Sequence, residues 1–141
     1  MASFEKMPVL PNTITDPAVR NFLETYYAKS NEPELHDDFA DLFTEDGEYN
    51  MNAKMNKGKA QILAFRKAIW SHIPKRDHYP THIFTSGDNQ MELMGFGEVG
   101  YEHHMGHSTD ASWAARYELV KEKGEIKLKV CHIVVDSVAH V

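Results

Sequence analysis

The sequence has one cysteine, no long apolar run and no excess of basic residues. Cys131 alone cannot form a disulfide within the chain, which fits a reducing compartment. No apolar stretch approaches the roughly 18 residues that span a bilayer, and the first residues lack the pattern of a signal peptide. A net charge of −6 disfavours nucleic acid, because phosphate binding needs a concentrated basic face. We therefore expect a cytoplasmic protein without a membrane or nucleic-acid partner.

Motifs for metals, cofactors and nucleophiles are missing as well. The segment 102–107 contains His103, His104 and His107, but neighbouring residues of a strand face opposite sides and cannot converge on one ion. There is no nucleophile elbow, phosphate loop or dinucleotide fingerprint. We expect neither a metal nor a cofactor.

The length of 141 residues and a hydrophobic content of 42% indicate one globular domain. Residues 1–14 contain Pro8 and Pro11 without a clear period, so they are predicted to form an N-terminal arm that is either loose or laid over the body. Residues 15–141 are predicted to form the single domain.

Hydrophobic periodicity changes from helical to strand-like along this domain. Three- and four-residue spacing predicts helices that begin near Thr15, Pro33 and Gly58, and a turn at Asp46-Gly47 precedes a short strand at 48–52. Alternating patterns then predict four longer strands, at 78–85, 91–105, 111–121 and 125–137. Helices followed by antiparallel strands predict an α+β fold, with three N-terminal helices on a strongly bent, mostly antiparallel sheet.

A two-residue turn at 123–124 sets the register of the last predicted hairpin. Strict alternation through 126–130 continues to His132, which we therefore expect on the buried face opposite Ala115. Cys131 is then expected on the outer face, at a dimer interface together with Ile133 and Val135. A histidine on an apolar face is either a proton-transfer group or a core residue bonded to a carbonyl.

Candidate site residues follow from this parity and from aromatic side chains near the expected cavity. We predict that the catalytic residues are His82, His132 and Tyr49. The predicted substrate contacts are Tyr26, Tyr27, Met51, His78, Trp113, Tyr117 and Asp136. A phenol can polarise a substrate oxygen, although aromatics at helical spacing are also ordinary packing residues.

Three segments resemble the nuclear transport factor 2-like superfamily, and within it the SnoaL-like group with scytalone dehydratase and ketosteroid isomerase among its relatives. They are FADLFTEDGEY at 39–49, RDHYPTH at 76–82 and DASWAARY at 110–117. The resemblance extends from about Asp16 to Ser137. Segments 113–116 and 135–136 also resemble fungal proteins of secondary metabolism. The resemblance implies a cone-shaped fold around a ligand cavity and leaves the reaction open, because this fold hosts enzymes and binding proteins alike.

The site residues of these relatives match this sequence in part. The second-strand histidine of scytalone dehydratase matches His82, and its first-helix tyrosine matches Tyr26 or Tyr27. Met51 stands where scytalone dehydratase has a strand-one tyrosine and ketosteroid isomerase has its general base. The chemistry of ketosteroid isomerase is therefore not carried over.

Three functions remain open at this point. The first is a cofactor-free acid–base lyase or isomerase for a small apolar metabolite derived from a polyketide, terpene or alkaloid. The second is a protein that only binds such a molecule. The third is a structural dimerisation module whose cone is filled by side chains, since seven methionines and seven phenylalanines suit irregular gaps. A homodimer is expected under all three.

Overall fold

The computed structural model describes residues 10–72, 75–102, 106 and 108–136. Three helices, α1 (Pro17–Ser30), α2 (His36–Ala40) and α3 (Lys59–His72), precede most of the sheet. The five strands are β1 (Phe43–Met51), β2 (Lys75–Ser86), β3 (Asn89–Glu102), β4 (Ser108–Glu122) and β5 (Glu125–Val135). The strand order is β1-β5-β4-β3-β2. β1 runs parallel to β5 and the other pairs are antiparallel. Among the described residues, no helix has both the length and the apolar character needed to cross a membrane.

The first helix begins one residue later than Thr15. Asp16 is its N-cap, and its carboxylate accepts a hydrogen bond from the Ala18 N–H at 2.9 Å. Pro17 follows in the first turn, where the missing N–H costs nothing. Leu10 and Ile14 are buried in the core, so the described end of the predicted arm packs against the domain.

The helices cover one face of the sheet, which we call the inner face. Buried residues of α1 and α2 form one core cluster there with aromatic and aliphatic side chains of all five strands. Alternate strand residues point to the opposite side, the outer face. Which face each candidate residue occupies decides whether it can take part in an enclosed site.

The beginning of β1 differs from the prediction. This strand starts at Phe43 and runs through Asp46 and Gly47, where the register with β5 shifts, so these residues form an irregularity in the strand. A Cβ on Gly47 would lie 3.0 Å from the Cβ of Phe43 and 3.1 Å from the Leu128 carbonyl oxygen. Close backbone approach therefore explains the glycine better than the predicted turn does.

The last hairpin has the predicted turn but a different register beyond it. Lys123 and Gly124 have φ of 52° and 81°, the positive values of a type I′ turn. Leu119 pairs with Leu128, but Glu118 then pairs with Val130, so β5 contains one extra residue. A bulge of this kind reverses the alternation that follows.

The bulge in β5 overturns the predicted faces of its second half. Cys131 and Ile133 are buried on the inner face, and Val135 packs against the same core, so the predicted outer-face interface is wrong for all three. His132 lies on the outer face, pairs with Arg116 instead of Ala115, and places Nε2 3.4 Å from the Asn52 carbonyl oxygen.

A second bulge reverses the parity of β2. Pro80 pairs with Gly97 and His82 pairs with Phe96, so Thr81 is the extra residue. A Cβ on Gly97 would overlap the Tyr79 carbonyl oxygen, and glycine is therefore required where the bulge presses on β3. His78 consequently faces inward, whereas His82 is exposed on the outer face.

Candidate active site at His78

His78 is the histidine that the fold places in the interior. Its side chain is only 4% exposed. The imidazole centroid lies 4.8 Å from the Trp113 ring and 5.3 Å from the Tyr27 ring. Its Nδ1 is 3.5 Å from Ser30 Oγ. An imidazole nitrogen can accept or donate a proton, and the Ser30 hydroxyl is placed to orient this ring.

The end of α1 holds the His78 backbone through Asn31. The His78 N–H donates to Asn31 Oδ1 at 2.9 Å, and Asn31 Nδ2 donates to the His78 carbonyl oxygen at 3.0 Å. β2 is an edge strand, so its outward N–H and C=O groups need partners other than a further strand. The side-chain amide of Asn31 supplies an acceptor for the His78 N–H and a donor for its carbonyl oxygen, and these two bonds fix the position of the His78 backbone relative to α1.

A second layer of polar contacts holds the end of α1 itself. Arg66 of α3 is 2% exposed and donates to the carbonyl oxygens of Ser30, Lys29 and Glu32 at 3.2, 3.1 and 2.7 Å. Its Nε donates to His36 Nδ1 at 3.0 Å. The last carbonyls of a helix have no partner within the helix, so a buried guanidinium satisfies them and complements the helix dipole.

Two buried tyrosines lie beside His78. The hydroxyls of Tyr27 and Tyr117 are 2.6 Å apart, and both side chains are at most 1% exposed. Burial raises the pKa of Tyr27 and the pKa of Tyr117, and the proximity of Tyr27 raises the latter further. Both phenols therefore stay protonated at neutral pH and can act as hydrogen-bond donors.

Tyr26 and Tyr49 belong to the packed core. The Tyr26 hydroxyl is 3.4 Å from Cys131 Sγ, and burial raises the pKa of Tyr26 well above its ordinary value. The Tyr49 ring packs at 5.3 to 5.8 Å from the rings of Phe39, Phe43 and Phe65. Tyr49 thus lies in an aromatic cluster, away from the residues around His78.

A hollow opens on the inner face beside His78. The hollow is lined by Met51, His78, Val99, Tyr101, Trp113, Ile133 and Val135. It has about 230 Å³ of empty space including its mouth, and the centre of a water molecule can occupy only about 10 Å³ of it. That is room for about one water. A larger guest requires the lining to move.

Trp113 contributes an unsatisfied donor to this region. Its side chain is 3% exposed, and its Nε1 is buried without a hydrogen-bond partner in the described structure. A buried N–H without an acceptor costs about 1–3 kcal/mol. An oxygen atom of a bound molecule could supply the missing acceptor.

The remaining predicted residues lie elsewhere. Asp136 is exposed at the end of β5 and lines a shallow hollow of about 560 Å³ on the outer face, with Phe96, Ala114 and Val134 among its walls. His82, also exposed, stacks on Phe96 with ring centroids 5.1 Å apart. His103, His104 and His107 lie outside the described residues.

Of the ten predicted residues, the structure brings five together at the hollow, packs Tyr26 and Tyr49 in the core and places three elsewhere. His78, Tyr27, Tyr117, Trp113 and Met51 surround or adjoin the hollow. His82, His132 and Asp136 lie on or beside the outer face. Ser30 and Asn31 were not predicted. The sequence shows only two polar residues at the end of an apolar helix, a pattern that is typical of any helix terminus and does not indicate a site.

Solved structures share this fold over most of their length. A protein named as a SnoaL-like polyketide cyclase, from Shewanella denitrificans OS-217, has a TM-score of 0.73 and 12% identity, with 89% of this chain and 95% of that chain covered. ActVI-ORFA of Streptomyces coelicolor has a TM-score of 0.68 and 24% identity, with coverage of 88% and 97%. A protein named as a scytalone dehydratase, from Novosphingobium aromaticivorans DSM 12444, has a TM-score of 0.68 and 16% identity, with coverage of 84% and 82%.

These similarities establish the fold alone: a mixed α+β chain with a five-stranded sheet, which it shares with the neighbours named as a SnoaL-like cyclase and a scytalone dehydratase. No protein-family model matches the sequence, and no curated protein matches it either. At such low identity the fold does not specify a reaction. Function must be argued from the side chains around the hollow.

Proposed function

We propose that this protein is a cofactor-free acid–base lyase or isomerase for a small, largely apolar molecule that carries an oxygen. The observation that supports this most is the buried imidazole of His78 beside the Trp113 indole, at a hollow whose other walls are mainly apolar. A pocket with apolar walls and few polar groups is typical of a small-molecule site. The names of the structural neighbours, a cyclase and a dehydratase, agree with chemistry of this kind.

The proposed reaction begins with proton transfer from substrate carbon to His78. Removing a proton next to a carbonyl leaves an enolate, whose negative charge on oxygen is stabilised by a hydrogen bond from Trp113 Nε1. Returning the proton to another carbon gives an isomer. If a hydroxyl group in the β position leaves instead and takes up the proton, the products are water and an unsaturated carbonyl compound. Both outcomes balance without an external oxidant or reductant.

Proton transfer is assigned to His78, and not to the predicted His82 and His132, because those two face away from the hollow. Tyr27 and Tyr117 are assigned the role of holding the His78 ring in place, since their hydroxyls bond to each other at 2.6 Å beside the imidazole. Met51 is assigned to the wall that yields on substrate entry, because its unbranched side chain adapts readily. A polyketide-derived intermediate and a cytoplasmic location remain part of the proposal.

Deuterium exchange tests the assignment without knowledge of the natural substrate. Cyclohexanone, 3-cyclohexen-1-one and 2-tetralone would be incubated with the protein in D₂O, and loss of the α-proton signals followed by NMR. We expect exchange that falls by about 10² or more in His78→Asn, the usual contribution of a positioned general base. His132→Asn is the matched control on the outer face and should keep the full rate. Full exchange in His78→Asn would overturn the assignment.

Two alternative functions follow from the small size of the hollow. If the interior stays filled, the chain is a structural module, and if it opens without chemistry, the chain is a binding protein. A structural module shows no binding of the three ketones by NMR. A binding protein shows saturable binding and no exchange that depends on His78.

A further inference from the structure

The hollow beside His78 is too small for a molecule larger than water, and its lining shows where it can widen. Five of its seven lining residues lie on strands that have a neighbouring strand on both sides, namely Val99, Tyr101, Trp113, Ile133 and Val135. His78 lies on the edge strand β2, but Asn31 holds its backbone to α1. Met51 is the last residue of the other edge strand, β1. The sheet therefore restrains the wall formed by Met51 least.

A two-residue turn at 52–53 follows Met51 directly. Met51 and Lys54 close this turn with two backbone hydrogen bonds of 2.9 Å. Asn52 joins the turn to the end of β5. Its N–H donates to the Ile133 carbonyl oxygen at 2.8 Å, and its Oδ1 accepts a hydrogen bond from the Val135 N–H at 2.9 Å. Because Ile133 and Val135 line the hollow, these two bonds also hold the Met51 wall against it.

The contacts of Asn52 are of a kind that can open locally. Asn52 has a left-handed backbone, with φ of 53°, a region that asparagine adopts more readily than most residues. Its side chain is exposed, so water can replace its partners when they separate. A third contact, between its carbonyl oxygen and His132 Nε2, is longer, at 3.4 Å. The turn can therefore leave β5 while the rest of the sheet stays folded.

We propose that Asn52 controls entry to the hollow. When its two bonds to β5 break, the turn at 52–53 and the Met51 side chain move away from Ile133 and Val135, and the hollow opens. The inference rests on the proposed function in one respect, namely that the guest is the oxygen-bearing apolar molecule assigned there. Only the open fraction of the protein binds that guest, so the strength of the two bonds sets how readily it enters.

Hydrogen exchange of the two indole N–H groups in D₂O measures this opening without any ligand. Trp113 lines the hollow, whereas Trp70 lies on α3 and does not. Asn52→Gly keeps the left-handed turn, which glycine adopts freely, and removes the Oδ1 acceptor. We expect exchange at Trp113 to rise about tenfold, which corresponds to about 1.4 kcal/mol, the range of one hydrogen bond. Exchange at Trp70 should not change. No rise at Trp113, or an equal rise at both indoles, overturns the proposal.

Two further variants separate the lost bond from a looser turn. Asn52→Asp keeps an oxygen acceptor and tolerates the left-handed backbone, so it should exchange at the wild-type rate. Lys123→Gly is the matched control, because Lys123 has φ of 52° and lies in the turn between β4 and β5, and it should leave both indoles unchanged. A rise at Trp113 in either variant as large as that in Asn52→Gly would contradict the role of the Oδ1 bond.

Cyclohexanone binding distinguishes a failure of this proposal from a failure of the proposed function. If both hold, Asn52→Gly binds the ketone with an association rate constant about tenfold higher than that of the wild type, because the open fraction is larger. If exchange at Trp113 rises but neither protein binds the ketone, control of opening by Asn52 is supported and the proposed function fails. If both proteins bind the ketone at the same rate, the proposed function stands and control of entry by Asn52 is overturned.

Discussion

Replacing Arg66 should destabilise the protein more than any other single change of a charged residue discussed above. The guanidinium is 2% exposed and lies 4.5 Å from the centroid of the Phe39 ring, over its face. It donates four hydrogen bonds, one to His36 and three to backbone carbonyl oxygens at the end of α1. In Arg66→Met the aliphatic stem is kept, but all four acceptors lose the guanidinium donor; the carbonyl oxygens of Lys29 and Glu32 keep backbone donors, the N–H groups of Glu32 and Leu35.

The expected magnitude follows from those contacts. Each hydrogen bond to a charged group contributes about 1.5–3 kcal/mol, and a buried acceptor that loses its donor costs about 1–3 kcal/mol, although such contributions are not additive. The return of the guanidinium to water in the unfolded state is part of the balance. We expect Arg66→Met to lower the free energy of unfolding by about 4 kcal/mol, out of a total of about 5–15 kcal/mol for a domain.

Urea unfolding followed by tryptophan fluorescence measures this change. Arg66→Lys should fall between wild type and Arg66→Met, because an ammonium group reaches fewer of the acceptors. Arg20→Met is the control: Arg20 is half-buried and donates to two carbonyl oxygens, those of Pro11 and Ile14, so its loss should cost about 1 kcal/mol. A loss below about 1 kcal/mol in Arg66→Met would refute the reasoning.

Four further substitutions, and Gly100→Ala as a control for one of them, test other parts of the structure. Burial, and then the cations beside it, lower the pKa of His36 below 6.5, so the unfolded chain binds the proton more readily. Stability should therefore fall as the pH drops from about 6.5 towards the folded-state pKa, and His36→Gln should flatten this slope in urea titrations at each pH. Gly97→Ala should cost about 2 kcal/mol or more through backbone overlap. Gly100→Ala, whose Cβ would meet only the Asp110 side chain at 3.4 Å, should cost less than about 1 kcal/mol by the same urea measurement. Asn31→Ala should lower the stability by about 2 kcal/mol and slow ketone exchange, because His78 loses both backbone partners. Trp113→Phe should slow ketone exchange by about 10²-fold while leaving stability within about 1 kcal/mol, since it removes an unsatisfied N–H along with the ring area.

Periodicity predicted the architecture because it reports burial averaged over a whole element. The helices, the four long strands and the 123–124 turn all appear near their predicted places. A short apolar segment such as that around Phe43 carries less information, so β1 was predicted to begin five residues too late.

The candidate site was predicted less well because strand parity is cumulative. One extra residue near Val130 and one at Thr81 each exchange the faces of all residues that follow. For this reason His132 and Cys131 were assigned to the wrong faces, and His82 was preferred over His78. Pro80 was a usable signal for the second bulge, since proline within a strand is confined to edges and bulges. The sequence has no comparable signal for the bulge in β5.

The most direct test of the central claim, that the hollow beside His78 receives an oxygen-bearing apolar molecule, is a ¹H–¹⁵N spectrum of the two indole N–H groups during titration with cyclohexanone. The sequence has only two tryptophans, and Trp113→Phe assigns their signals. We expect the Trp113 signal to move downfield and saturate as its N–H gains an acceptor, while the Trp70 signal stays in place. An unmoved Trp113 signal, with shifts confined to residues of the outer face, would contradict the claim.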